Sequence, residues 1–202
     1  FSGIQMDNGE QATISDGTVS VAGSILTSGS TAKLTLANAD LNLSGNQDLY
    51  GTVRITGDTS LTGGRMNIKY GGTLLLADGA NFTRTGGIAY WGQGSLATEL
   101  NATASFVSDN DFHLGYDDST NTGSIDLAQG STLNMQVASL QVWNTTAINL
   151  ADNATLNLNS WLGNDGNTTV TLGQNAEMNI GGALSGDGTK TFELGQNAAM
   201  NI

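Results

Sequence analysis

One stretch of the 202-residue sequence gathers side chains with chemical capability: Asp109-Asn110-Asp111-Phe112-His113-Leu114-Gly115-Tyr116-Asp117-Asp118, preceded by Tyr90-Trp91-Gly92. Aromatic rings stack on sugar faces, and paired carboxylates act as acid and base in glycoside cleavage. Tyr90, Trp91 and Tyr116 are therefore candidate glycan contacts beside an acidic cluster. Asp109, Asp111, Asp117 and Asp118 also offer hard oxygen ligands, which makes them a candidate calcium site. Against calcium, the order of the acids departs from the EF-hand loop and no Gly-Gly-x-Gly-x-Asp nonapeptide is present. The competing reading is a solvated acidic loop in which Phe112 and Leu114 point inward and the aspartates face water.

His113 is the only histidine, so any Ser-His-Asp arrangement must use it. No Gly-x-Ser-x-Gly elbow accompanies it. Between two inward apolar residues it reads as outward-facing on a strand, and no catalytic residue or cofactor is expected beyond the calcium candidate. The absence of cysteine excludes a disulfide scaffold, a thiolate zinc site and a cysteine nucleophile. Eighteen acidic residues against six basic ones give a net charge of -12. Lys33, Arg54, Arg65, Lys69, Arg84 and Lys190 are mostly isolated, which speaks against nucleic acid as a partner. No apolar run approaches the roughly 18 residues of a membrane helix, so no membrane insertion is expected of this segment. Phe1 rather than Met opens the chain, so the expectation is a processed product or part of a longer chain.

The elements that hold these residues follow from an internal repeat. Ile125-Asp-Leu-Ala-Gln-Gly-Ser-Thr-Leu-Asn-Met135, Ile148-Asn-Leu-Ala-Asp-Asn-Ala-Thr-Leu-Asn-Leu158, Val170-Thr-Leu-Gly-Gln-Asn-Ala-Glu-Met-Asn-Ile180 and Phe192-Glu-Leu-Gly-Gln-Asn-Ala-Ala-Met-Asn-Ile202 align directly. With the third residue as anchor, the series is Ile14, Leu36, Ile55, Leu76, Leu100, Leu127, Leu150, Leu172 and Leu194, nine units of about 22 residues. Three residues after the anchor stand Gly17, Gly79, Gly130, Asn153, Asn175 or Asn197, the residue types that tolerate a left-handed corner. Inward apolar positions follow at offset six (Leu61, Phe82, Phe106, Leu133, Leu156, Met178, Met200) and at twelve or thirteen (Leu26, Leu49, Ile68, Ile88, Phe112, Leu140, Leu162, Leu184). Three short strands per unit describe an all-β, three-sided parallel β-helix, one domain over 1–202 without evident caps, with its longest loops within 77–126. Asn134, Asn157, Asn179 and Asn201 alternate with inward residues and should stack as an outward amide ladder, structural in itself or a polar strip for glycans. Trp143 and Trp161 sit at different offsets and do not form one rank.

The strand, small-residue corner and strand of Leu150-Ala-Asp-Asn-Ala-Thr-Leu-Asn-Leu158 and its copies resemble the repeats of bacterial autotransporter passenger domains and related large secreted adhesins. The Gly-, Ser-, Thr- and Asn-rich, Cys-free, Lys-poor composition goes with that resemblance. It implies a right-handed coil, an extracellular or cell-surface location and a non-enzymatic structural or adhesive role as a stalk or fibre. The alternative is a carbohydrate-binding or carbohydrate-cleaving β-helix of the tailspike or polysaccharide-lyase kind. Expected partners are a second copy end to end or the rest of a longer chain, together with cell-surface or matrix glycans.

Overall fold

A computed structural model describes residues 2–69, 71–86, 94–116 and 122–202, with 89–91 as backbone. Its strands are all paired in parallel and form three ladders of nine strands each, wound into a β-solenoid of about eight turns. The described residues include no helix, long and apolar or otherwise. The first and second faces belong to one 16-stranded sheet, because Gln11–Val21 and Lys33–Leu43 run through the corner between them and contribute to both. The third face is a separate nine-stranded sheet, from Ile4–Met6 and Ile25–Thr27 through Phe112–Leu114, Ser139–Val142 and Trp161–Asn164 to Leu184–Ser185.

Alternation within each strand sends every second side chain inward, and identical offsets on successive turns stack these into columns. On the first face, Leu34, Val53, Leu74, Leu96, Ile125, Ile148 and Val170 form one column. On the second, Phe82 is in register with Ala104, and Leu133, Leu156 and Met178 continue that column. These columns meet in one continuous hydrophobic cluster along the axis. Where Ala104 leaves room in its column, Phe82, Phe106 and Phe112 fill the interior edge to face, at centroid separations of 5.9 and 5.4 Å.

The corner between the first two faces carries a left-handed residue in every turn: Asp16, Asn38, Gly57, Gly79, Asn101, Gly130, Asn153, Asn175 and Asn197. That bend needs positive φ, and Gly, Asn and Asp tolerate it best. The first turn corrects the expected position by one residue, with Asp16 (φ 53°) bending in place of Gly17.

Three other register expectations change. Leu100 is not an anchor: it lies 48% exposed in a turn, and the buried Thr98 pairs with Leu76 instead. The Thr98 hydroxyl accepts a hydrogen bond from the Ala128 backbone N–H at 2.8 Å, which makes a polar residue acceptable in the column. Leu61 and Phe106 occupy the inward column two residues beyond that of Phe82, in register with Arg84. Leu26 faces outward opposite Asp48, while its neighbours Ile25 and Thr27 are buried. Ile88 lies outside the described residues.

Candidate functional site

The acidic stretch divides on the third face. Phe112 and Leu114 are fully buried, and His113 between them faces outward. Asp109 is exposed before this strand, whereas the Asp111 carboxylate accepts a 2.5 Å hydrogen bond from the Ser139 hydroxyl on the next turn. Asp117 and Asp118 lie outside the described residues. Among the described residues, no three His, Cys, Asp or Glu side chains come close enough together to hold a metal ion. Tyr90 and Trp91 belong to the strand Ala89–Trp91, with Tyr90 in register with His113; their side chains lie outside the described part.

Tyr116, the third glycan candidate, joins His113 and Trp143. Its ring centroid lies 5.2 Å from each, edge-on to the indole, while the imidazole and the indole stack at 6.3 Å. The Trp143 indole N–H donates to His113 Nδ1 at 3.1 Å, which requires that nitrogen to be unprotonated. Burial pushes the His113 imidazole below its ordinary pKa of 6.5; Asp111 pulls it back up and Arg65 adds to the fall. The neutral imidazole therefore acts as an acceptor that orients the indole. Spacing alone did not disclose this cluster, because Trp143 follows its strand while His113 lies within its own; parallel stacking brings them together.

The amide ladder is present. Asn157 donates to Asn134 at 2.9 Å, Asn179 to Asn157 at 2.9 Å and Asn201 to Asn179 at 2.7 Å. Beside it runs an open groove of about 440 Å³, lined by these amides with Gln136, Asn159 and Gly181. At the first-two-face corner, Asn175 donates to Asn153 and Asn197 to Asn175, both at 3.3 Å. On the first face, Asn149 donates to Asp126 at 2.7 Å, and Arg54 pairs with Glu99 through two bonds of 2.7 and 3.0 Å.

One buried site has no counterpart among the sequence expectations. Arg84 is only 2% exposed and stands in an inward column between Leu61 and Phe106. Its guanidinium donates to the carbonyls of Thr85 and Gly64, while its Nε has no hydrogen-bond partner. Burial lowers its pKa from the usual guanidinium range to about 10. Gln47 is buried near it: its amide nitrogen reaches the Gly45 carbonyl, and a Cβ on Gly64 would fall 2.5 Å from that nitrogen. Thr83-Arg84-Thr85 reads as an ordinary polar alternation, so only the column register shows that a cation points inward.

No family model matches the chain, and no significant relative was found among curated proteins or solved structures.

Proposed function

We propose that the chain is a non-enzymatic structural solenoid, a segment of an extracellular bacterial stalk or fibre whose strength comes from stacked turns and whose contacts add through multivalency. The observation that carries this reading is the continuity of the three parallel ladders over one aliphatic core, tied across turns by side-chain amide rows. Each turn pairs with the next through many backbone bonds at a spacing of about 4.8 Å, and pairing of this kind continues wherever an edge is offered. A chain without cysteine or proline suits this role outside the cell: its stability is independent of redox state, and all its backbone donors are available to the ladders.

The last described turn offers such an edge. Phe192, Leu194 and Ile202 are 36, 55 and 67% exposed there, although the matching residues one turn earlier, Val170, Leu172 and Ile180, are buried. A further turn, supplied by continuing chain or by another copy, would bury them as the earlier turns are buried. Sedimentation and negative-stain microscopy of the 202-residue chain test the end-to-end version. Rods that lengthen with concentration are expected; a single species of one subunit at every concentration would overturn it.

A further inference from the structure

The residues with an aromatic body and a polar tip are segregated in the fold. Tyr50, Tyr90, Trp91, Tyr116, Trp143 and Trp161 all lie in third-face strands or within two residues of their ends. The remaining tyrosine, Tyr70, lies outside the described residues. Phe82, Phe106 and Phe112 are instead buried in the core. Tyr50 and Trp161 are exposed and Tyr116 and Trp143 half-buried, so core packing does not account for these four, whereas the backbone of Trp91 is in register with the buried Ile68 and Leu114.

Three outward rows cross the third face on adjacent turns. Asp111, Ser139 and Trp161 form the first; His113, Gln141 and Gly163 the second; Gly115, Trp143 and Asp165 the third. Trp161 and Trp143 stand on neighbouring turns, four residue positions apart along the strand direction, which is about 13 Å. Gln141 lies between them. A Cβ on Gly163 would fall 2.4 Å from the Gln141 Oε1 and 2.6 Å from Trp161 Cζ3, so the missing side chain is what lets the amide and the edge of the indole converge. The Gln141 amide nitrogen donates to the Ser139 hydroxyl at 2.9 Å, and that hydroxyl donates to Asp111, which fixes the orientation of the amide. Trp161 is 40% exposed, whereas Trp143 is half-buried, its N–H taken up by His113 and Tyr116 set edge-on to its ring.

Two separated indoles with an oriented amide between them match a ligand that has flat C–H faces and hydroxyl groups in alternation. The charge selects further: Asp111 and Asp165 border the rows, and the chain as a whole carries -12. That combination repels sulfated, sialylated and phosphate-bearing ligands. We propose that this part of the third face binds a neutral oligosaccharide, with Trp161 and Trp143 as stacking platforms and Gln141 as the hydrogen-bonding group between them. The span between the indoles exceeds one pyranose ring, so the ligand is an oligosaccharide rather than a monosaccharide. The site does not depend on end-to-end assembly.

The probes are neutral tetra- to hexasaccharides of glucose, galactose, mannose and N-acetylhexosamines on an array, followed by titration of tryptophan fluorescence. At least one should bind the whole chain and shift the emission. Trp161→Ala, at an exposed position, should weaken that binding by about tenfold or more. Gly163→Ala should also weaken it by crowding Gln141 and Trp161, with a melting temperature close to that of the parent. Failure of every neutral oligosaccharide to bind, binding indifferent to both substitutions, or a preference for sulfated glycans would overturn the site.

Discussion

Arg84 shows how a single side chain can contradict its column. Its guanidinium sits where Leu61 and Phe106 stand on the adjacent turns, and its acceptors are backbone carbonyls rather than a carboxylate. A buried cation of this kind costs desolvation that two carbonyl bonds offset only in part. Arg84→Met, similar in length, should therefore leave stability within about 1 kcal/mol of the parent or raise it. Arg84→Ala should cost about 2–4 kcal/mol, because it leaves a cavity beside Phe106. Urea unfolding of the two variants checks both. His113 sets a second expectation. Its folded pKa is depressed by burial, so the unfolded chain binds the proton more readily. Its contribution to stability is complete above the ordinary imidazole pKa of about 6.5 and is lost as pH falls below it. Asp111 opposes this trend, Arg65 reinforces it, and Tyr116 and Trp143 are the rings it packs against. Acidification should loosen the cluster and change the Trp143 emission, and His113→Gln should remove that pH dependence.

Among the elements, the amide ladder is the most repetitive feature and the easiest to test. Asn157 donates to Asn134 and accepts from Asn179, so Asn157→Ala removes two bonds and leaves two half-exposed amides without that neighbour. A loss of about 1–2 kcal/mol is expected in denaturant unfolding, with little change at the distant His113 cluster. Both the ladder and the left-handed corners were legible in the sequence, because their residue types recur at fixed offsets in the later turns. Registers were legible only where the repeat was regular. The exposed Leu100 drew the anchor away from Thr98, since hydropathy favours Leu and only the Thr98–Ala128 bond makes the hydroxyl acceptable inside. Phe106 and Leu61 sat two residues from their assigned column because period-2 alternation leaves adjacent inward positions indistinguishable without the pairing. The aromatic surface was half visible: Tyr116 stood out beside the acidic run, whereas Trp143 and Trp161 gained meaning only when the turns were stacked.

For the whole molecule, the proposed end-to-end stacking would use the exposed apolar layer at Phe192, Leu194 and Ile202. Leu194→Lys places a charge in the column that Leu127, Leu150 and Leu172 occupy in earlier turns. If copies stack there, this substitution should shift the sedimenting species to the single subunit while the circular dichroism stays β-rich. The side-chain rows reinforce the polarity that the stacked parallel strands already have. Asn67 donates to Asp48, Asn81 to Asp58 and Asn149 to Asp126, always toward the N-terminal turn, and Asp cannot reverse the bond because it has no proton to give. The Asn–Asn rows run the same way. The coil thus has a built-in arrow: in each Asn row the amide N–H groups point to the N-terminal turn, so the last members, Asn197 and Asn201, present amide oxygens onward as acceptors, while the first members, Asn153 and Asn134, carry amide N–H groups. A filament of such units would be vectorial, with copies facing one way and two tips that elongate at unequal rates.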